Sequence, residues 1–294
     1  MKKSTILIFL LLIAGKYKTI AQQDNTDSNS IDKAKEKTKN KGKIYFYWGW
    51  NISQYSSSDI RFYGDNYDFT VQNAKARDKV TKPVGYDKYL NPSNMTIPQT
   101  NARLGYYFHD NWNASIGLDH MKYVVTQFQT AKVSGDINLT SQNEGITSFN
   151  GVYNNTDTIL SEEFVSFEHT DGLNYINLEV ARVDNLGDYI GLNPDKIQIN
   201  LTEGLGAGVL IPKTNAKILG KERHDEFHLS GYGISLKGGV NITFFKYFFI
   251  QAEAKAGFIN LPDIRTTGDS TDKAKQHFFF SQQNISFGAI FKVF

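Results

Sequence analysis

The chain has 294 residues and no cysteine, and beyond its first twenty or so residues it has no long apolar run. Without cysteine there is no disulfide framework, no thiolate zinc site and no lipoprotein anchor. Without a stretch of roughly 20 apolar residues there is no membrane-spanning helix. A surplus of one charge sign is missing too: 32 Lys and Arg stand against 30 Asp and Glu, a formal charge of +2, which gives no reason to expect a nucleic-acid partner. No phosphate-cradling glycine loop, serine-centred elbow or paired-histidine zinc motif occurs. No cofactor is evident, and metal use stays open.

What is present begins with an export signature. Lys2 and Lys3 form a basic start, Ile6 to Ala14 an apolar core, and Thr19-Ile20-Ala21 a small-residue cleavage site, as in a secretory signal. Residues 1–21 hold four lysines and no acid, so their removal takes the formal charge to −2. Residues 22–43 carry lysine at 33, 35, 37, 39, 41 and 43, broken by Asp32 and Glu36. Such a run buries too little surface to fold alone and reads as a solvated periplasmic tether.

From residue 44 to 294 the dominant pattern is a period of two. Ile44, Phe46, Trp48, Trp50 and Ile52 alternate with Tyr45, Tyr47, Gly49 and Asn51, and the last segment, His277 to Phe294, alternates Ile285, Phe287, Ala289, Phe291 and Val293 with small or polar residues. Strands are expected at about 44–53, 97–108, 112–128, 164–183, 196–211, 230–244, 247–259 and 277–294. Their links alternate: tight turns, against long connections at 54–96, 130–163, 212–229 and 260–276. Alternating apolar and polar faces, with short and long links in turn, describe an all-β, eight-stranded antiparallel transmembrane β-barrel with short periplasmic turns and long extracellular loops. Aromatics beside the short turns (Tyr106, Tyr107, Phe108, Trp112; Phe244, Phe245, Tyr247, Phe248, Phe249) suit a periplasmic girdle. Soluble sandwiches and barrels also alternate, but do not need rings concentrated at strand ends.

The face opposite the lipid carries Asn101, Arg103, Ser115, Asp119, Asn177, Glu179, Lys237, Asn241, Gln251, Glu253 and Lys255. Arg103, Lys237 and Lys255 are expected to pair with Asp119, Glu179 and Glu253 in a narrow lumen, because isolated buried charges are costly. The network reads as a plug, with an ion path as the sharper alternative. Glu203 falls in phase with Leu201 and Leu205 on the lipid side, so a bulge near Gly204, a place above the hydrocarbon, or a function is expected there. Gly204, Gly206 and Gly208 suggest close strand packing.

Two polar groupings could carry chemistry. His120 and Lys122 close the third strand, and His169 and Asp171 open the fourth, so antiparallel pairing would bring these four together as candidate catalytic residues; a hydrogen-bonded rim is the plainer alternative. His228 and Ser230 share a face, the spacing of lipid A deacylase barrels, with Glu226 left to orient the histidine.

The runs Ile97-Pro98-Gln99 to Phe108, Asn111-Trp112 to Lys122, His169-Thr170-Asp171-Gly172-Leu173-Asn174 and Gly206-Ala207-Gly208-Val209 resemble the lipid A oxidase-like barrel family. The resemblance covers the second to fifth strands and implies oxygen-dependent oxidation of lipid A in the outer leaflet. Three functions therefore stand open: a non-catalytic surface or envelope-assembly protein, a lipid A-modifying enzyme, and a narrow solute channel. Outer-membrane lipid, lipopolysaccharide and an envelope protein complex are the partners each would meet.

Overall fold

A computed structural model of the chain describes residues 39–79, 99–141, 144–221 and 226–292. The export signal, most of the tether, residues 80–98, His224 and the last two residues lie outside the described residues.

The wall is made by β1 (Lys43–Tyr55), β5 (Thr100–Tyr107), β6 (Trp112–Val125), β9 (Val165–Asn185), β10 (Ile197–Leu210), β12 (Gly231–Phe244), β13 (Phe248–Arg265) and β14 (Lys273–Lys292), each antiparallel to the next. Pairing of β1 with β14 closes the ring. This is the eight-stranded antiparallel barrel expected from the two-residue period. Hydrogen-bonded partners traced round the ring from Phe287 run through Trp48, Ala102, Leu118, Ile176, Val209, Tyr232 and Asn260 to His277, ten residues up the strand from the start. That stagger, with ordinary strand spacings, tilts the strands by about 41° to the axis.

The long connections are where expectation and structure part. They are folded: β2 (Ser58–Gly64) and β3 (Tyr67–Ala74) form a hairpin, β2 pairs with the top of β14, β3 with β7 (Thr130–Ile137), and β7 with β8 (Gly151–Ile159). Two short strands, β4 (Ala76–Arg77) and β11 (Asn215–Ile218), prolong the wall against β6 and β9. The cause is sequence alternation inside the loops themselves: Ile60 and Phe62, Tyr67, Phe69 and Val71, and Val133 and Ile137 all point inward. At the other end the first strand begins at Lys43, and the residues just before it are already docked: Asp110 accepts the Asn40 and Lys41 amides at 3.0 Å each.

Two buried apolar clusters result. The one beneath the cap holds twenty-nine residues, centred on Phe62, Phe69, Phe164, Phe167 and Phe278, and the one at the turn end only six: Tyr45, Tyr47, Tyr107, Val183, Phe249 and Ile290. The apolar core of this protein is therefore above the barrel's middle. Tyr107 and Phe249, grouped by sequence with the girdle, belong to this inner cluster because each sits one residue out of phase with an exposed neighbour, Tyr106 or Phe248. The exposed rings near the turns are Tyr106, Phe108, Trp112, Phe245, Tyr247 and Phe248.

Outside, Phe46, Trp48, Trp50, Ile52, Leu104, Ile116, Leu118, Leu178, Val180, Leu205, Ile234, Leu236, Ile250, Ile285 and Phe287 form an exposed apolar band. With the tilt above, it spans roughly 25 Å along the axis, from Trp112 and Phe248 up to Phe258 and Phe279. Phe62, fully buried where the cap hairpin meets Phe69 and Phe167, tests the independence of the cap. Phe62→Ala should cost the cap about 3–5 kcal/mol, read as faster trypsin cleavage within residues 58–77 and 130–160 while the barrel keeps its resistance to unfolding in detergent.

Candidate functional site

Half-way up the lumen the inward residues of five strands converge. Arg103 of β5 meets Glu179 of β9 at 2.9 Å and Asp119 of β6 at 3.8 Å. Lys255 of β13 bonds Asp119 at 2.6 Å and Glu179 at 2.8 Å, and Lys237 of β12 bonds Glu179 at 2.6 Å and Glu253 at 3.1 Å. Three cations and three carboxylates thus form one neutral, buried network with Glu179 at its centre. Neutral groups complete it: Tyr47 Oη accepts from Arg103 Nε at 3.0 Å, Asn177 bridges Arg103 and Asp119, and Asn101 and Asn284 donate to Asp119 and Glu253. Sequence reasoning identified the charges but not Tyr47 or Asn284, whose inward phase was their available signal.

Glycines make the room for it. A Cβ on Gly117 would lie 2.6 Å from the Arg103 guanidinium carbon, and one on Gly206 would lie 2.7 Å from Glu179 Cγ. Below the network is a small polar cup of about 40 Å³ lined by Lys43, Asn113, Asn200, Asn241, Thr243 and Lys246. Above it is an amide layer, Asn51, Asn101 and Gln282, and then the apolar core.

Of the four residues grouped at the strand tops, His120, Lys122 and Asp171 stay within electrostatic range of one another, and His169 leaves the group. The register sets Tyr123 opposite His169 and Asn174 opposite His120, with an irregularity between Met121 and Tyr123. His169 is fully buried in the apolar core, between Tyr123 and Phe167, its nitrogens near Thr214 Oγ1 at 3.0 Å and Gln276 Nε2 at 3.3 Å. It is a satisfied core residue, cut off from the other three. Burial holds its imidazole far below the ordinary range, at about 3.

His120 is different. It follows inward Asp119 and therefore turns to the outer wall, at the upper edge of the apolar band. Asn174 donates to the Ile211 carbonyl at 3.1 Å, which leaves its oxygen as the acceptor for His120 Nδ1–H at 2.8 Å. The Nε2 lone pair is then left buried with no hydrogen-bond partner. Gly172 makes the ring position possible, since a Cβ there would lie 2.8 Å from His120 Cε1. Lys122 shares this outward phase, with Lys79, Asp171, Asp78 and Glu168 as electrostatic neighbours, and Asp171 pairs with Lys213 at 3.8 Å. Asn174, the residue that orients His120, was within the motif quoted from the sequence but was given no role.

The deacylase-like pair does not form. Ser230 Oγ donates to the His228 carbonyl at 3.3 Å, whereas the imidazole Nε2 meets Asp263 Oδ2 at 3.0 Å. Residues two apart on an extended strand share a face, but here the serine turns in and is buried while the histidine turns to Asp263 of β13 and, through it, Lys273. Glu226 is not the orienting acid. Among the described residues no group of three or more His, Cys, Asp or Glu could hold a metal ion.

No family model matches the chain, and no curated protein does. Solved structures similar to it are outer-membrane barrels. OprG from Pseudomonas aeruginosa shares 10% identity over 87% of this chain and 98% of its own, with a TM-score of 0.38. AlkL, solved in DMPC lipid bilayers, shares 10% over 92% and 98%, at 0.38. Ail of Yersinia pestis shares 11% over 85% and 99%, at 0.32.

Two outcomes follow from this geometry. Glu179→Gln leaves the cations around it short of one counter-charge and should lower unfolding stability by about 3–5 kcal/mol, measured by urea titration of the refolded barrel. For His169, the depressed folded value means that the unfolded chain binds the extra proton first. Stability from the neutral ring is therefore complete above the unfolded value near 6.5 and is lost as pH falls towards about 3. Protease sensitivity of the cap should rise across that window in the native chain and much less in His169→Phe.

Proposed function

We propose that the chain is an integral outer-membrane protein, exported through the signal in residues 1–21, that acts non-catalytically through its folded cap as a surface or envelope-assembly protein. The observation that carries this reading is the pairing of a blocked lumen with a built exterior. Below the cap, the ion network and the apolar core fill the barrel; above the apolar band, three of the four long connections contribute strands to an ordered sheet. An apolar belt of membrane height supports the location, and lipopolysaccharide and neighbouring envelope proteins are what such a cap would meet.

A second reading rests on His120. An imidazole oriented by an amide, with its other nitrogen unpartnered at outer-leaflet height, is poised as a general base once the cover over it opens to a substrate. It favours lipid A modification, of the kind the family resemblance implies, over the His228 and Ser230 alternative.

Lipid A mass spectra from cells with and without the protein separate the two. Coincident spectra, together with silent planar-bilayer recordings of the folded barrel, are expected. A mass change that appears with the native chain and disappears in His120→Ala would overturn the non-catalytic reading in favour of the enzyme.

A further inference from the structure

Where the outer wall rises out of the apolar band on β13, β14 and β2, its outward face turns positive. On β14, Lys273, Lys275 and His277 alternate with the buried Ala274, Gln276 and Phe278, and Arg61 on β2 and Arg265 on β13 share that outward phase. The register sets Lys275 directly opposite Arg61, and Lys273 between Arg265 on one side and Tyr63 on the other. Two like-charge pairs therefore stand face to face in adjacent rows, which by itself destabilises a sheet. The acids nearby offset only part of this. Arg61 holds Asp68 at 2.7 Å, and Lys273 holds Asp263 at 2.8 Å, which also meets His228. Asp59, two residues below Arg61, accepts the Asn73 amide at 2.8 Å. Lys275 and Arg265 have no ion pair among the described residues. The Lys275 ammonium lies 5.1 Å from the centre of the Tyr63 ring, which also carries the Arg61 guanidinium at 5.4 Å.

Directly below is an open apolar groove of about 560 Å³ in the same wall, lined by Leu205, Ile234, Leu236, Ala256, Phe258 and Phe279. Its upper end, Phe258 opposite Phe279, lies one outward row beneath Asn260 opposite His277. A strand of this tilt climbs about 2.5 Å per residue, so His277, Lys275 and Lys273 stand roughly 5, 10 and 15 Å above Phe279. From bottom to top the wall thus presents an apolar groove at hydrocarbon height and then two cationic rows at head-group height. That depth of positive charge exceeds the single phosphate layer of a glycerophospholipid. It suits a thicker, phosphorylated saccharide head that carries its own acyl chains.

We propose that the upper wall of β13, β14 and β2 binds the lipid A moiety of lipopolysaccharide, with Lys275 and Arg265 on its phosphates and an acyl chain in the groove. Basic clusters at the membrane surface recognise phosphorylated lipid heads through charge-assisted hydrogen bonds. A phosphate set among the opposed cations turns their repulsion into attraction to a shared anion. The place matters for the cap as well. Its first strand, β2, joins the barrel through four register pairs only, Ile60 to Tyr63 against Lys273 to Gln276, and the like-charge rows lie on that joint. A bound phosphate therefore fastens the cap to the wall.

This site rests on the outer-membrane reading above, and the test separates the two. The full chain is refolded into phosphatidylcholine vesicles that also contain bis-phosphorylated lipid A, lipid A stripped of its phosphates, or phosphatidylglycerol. Insertion is checked by the heat-dependent gel mobility of a folded barrel, and the lipid retained after extraction into mild detergent is measured by native mass spectrometry. The native chain should retain phosphorylated lipid A at least tenfold more tightly than either of the others. Lys275→Gln combined with Arg265→Gln, both outward and clear of the lumen network, should insert equally well and weaken that retention about tenfold or more, leaving the phosphate-free form unaffected. Ala256→Trp, which fills the groove, should weaken retention of both forms of lipid A. Trypsin cleavage within residues 58–77 should slow when phosphorylated lipid A is present, and not in the double variant. A native chain that inserts but retains phosphatidylglycerol as tightly, or whose lipid A retention the double variant leaves unchanged, overturns the site alone. Failure of the native chain to insert overturns the membrane reading, and the site with it.

Discussion

The closure of eight strands at a stagger of ten residues is the constraint on which everything else in this structure depends. It produces a narrow lumen whose middle the inward side chains fill. They do so with charge. Glu179 alone meets Arg103, Lys237 and Lys255, and Asp119 and Glu253 take up what remains. A buried network of this kind is a weak source of net stability, because desolvation offsets the attraction. Its consequence is geometric: the three cations and three carboxylates tie the inner faces of five strands together at one level.

The same stagger also accounts for the cap. Strands tilted by about 41° leave the wall at an angle, and β14 continues past the top of β1 until it pairs with β2. From there β3, β7 and β8 add on in turn. The apolar residues that a soluble protein would gather in its middle are concentrated here instead, above the charged layer, where a large core of Phe, Leu and Ile holds four chain segments together.

That outside has two irregularities, each a polar group on a wall that should be apolar. His120, in outward phase but covered, keeps a buried and unpartnered nitrogen at the upper edge of the band, and Glu203 presents a carboxylate in its lower half. Both follow from strict alternation. Neither was moved by a bulge, and the strand continues through each. Polar groups at such positions are expensive.

The two-residue rhythm, read along the chain, determined the strand count, the antiparallel order, the inward set from Asn101 to Lys255 and the outward set from Phe46 to Phe291, because alternation on a strand is a local property. It also determined that Asp119 and His120 point apart. Tertiary structure alone decided which charges touch, that His169 is a core residue rather than a neighbour of His120, that His228 pairs with Asp263 rather than Ser230, and that the long connections fold onto one another. Each of those depends on register between strands distant in sequence, where a shift of one residue exchanges inside for outside, and no local pattern carries that information.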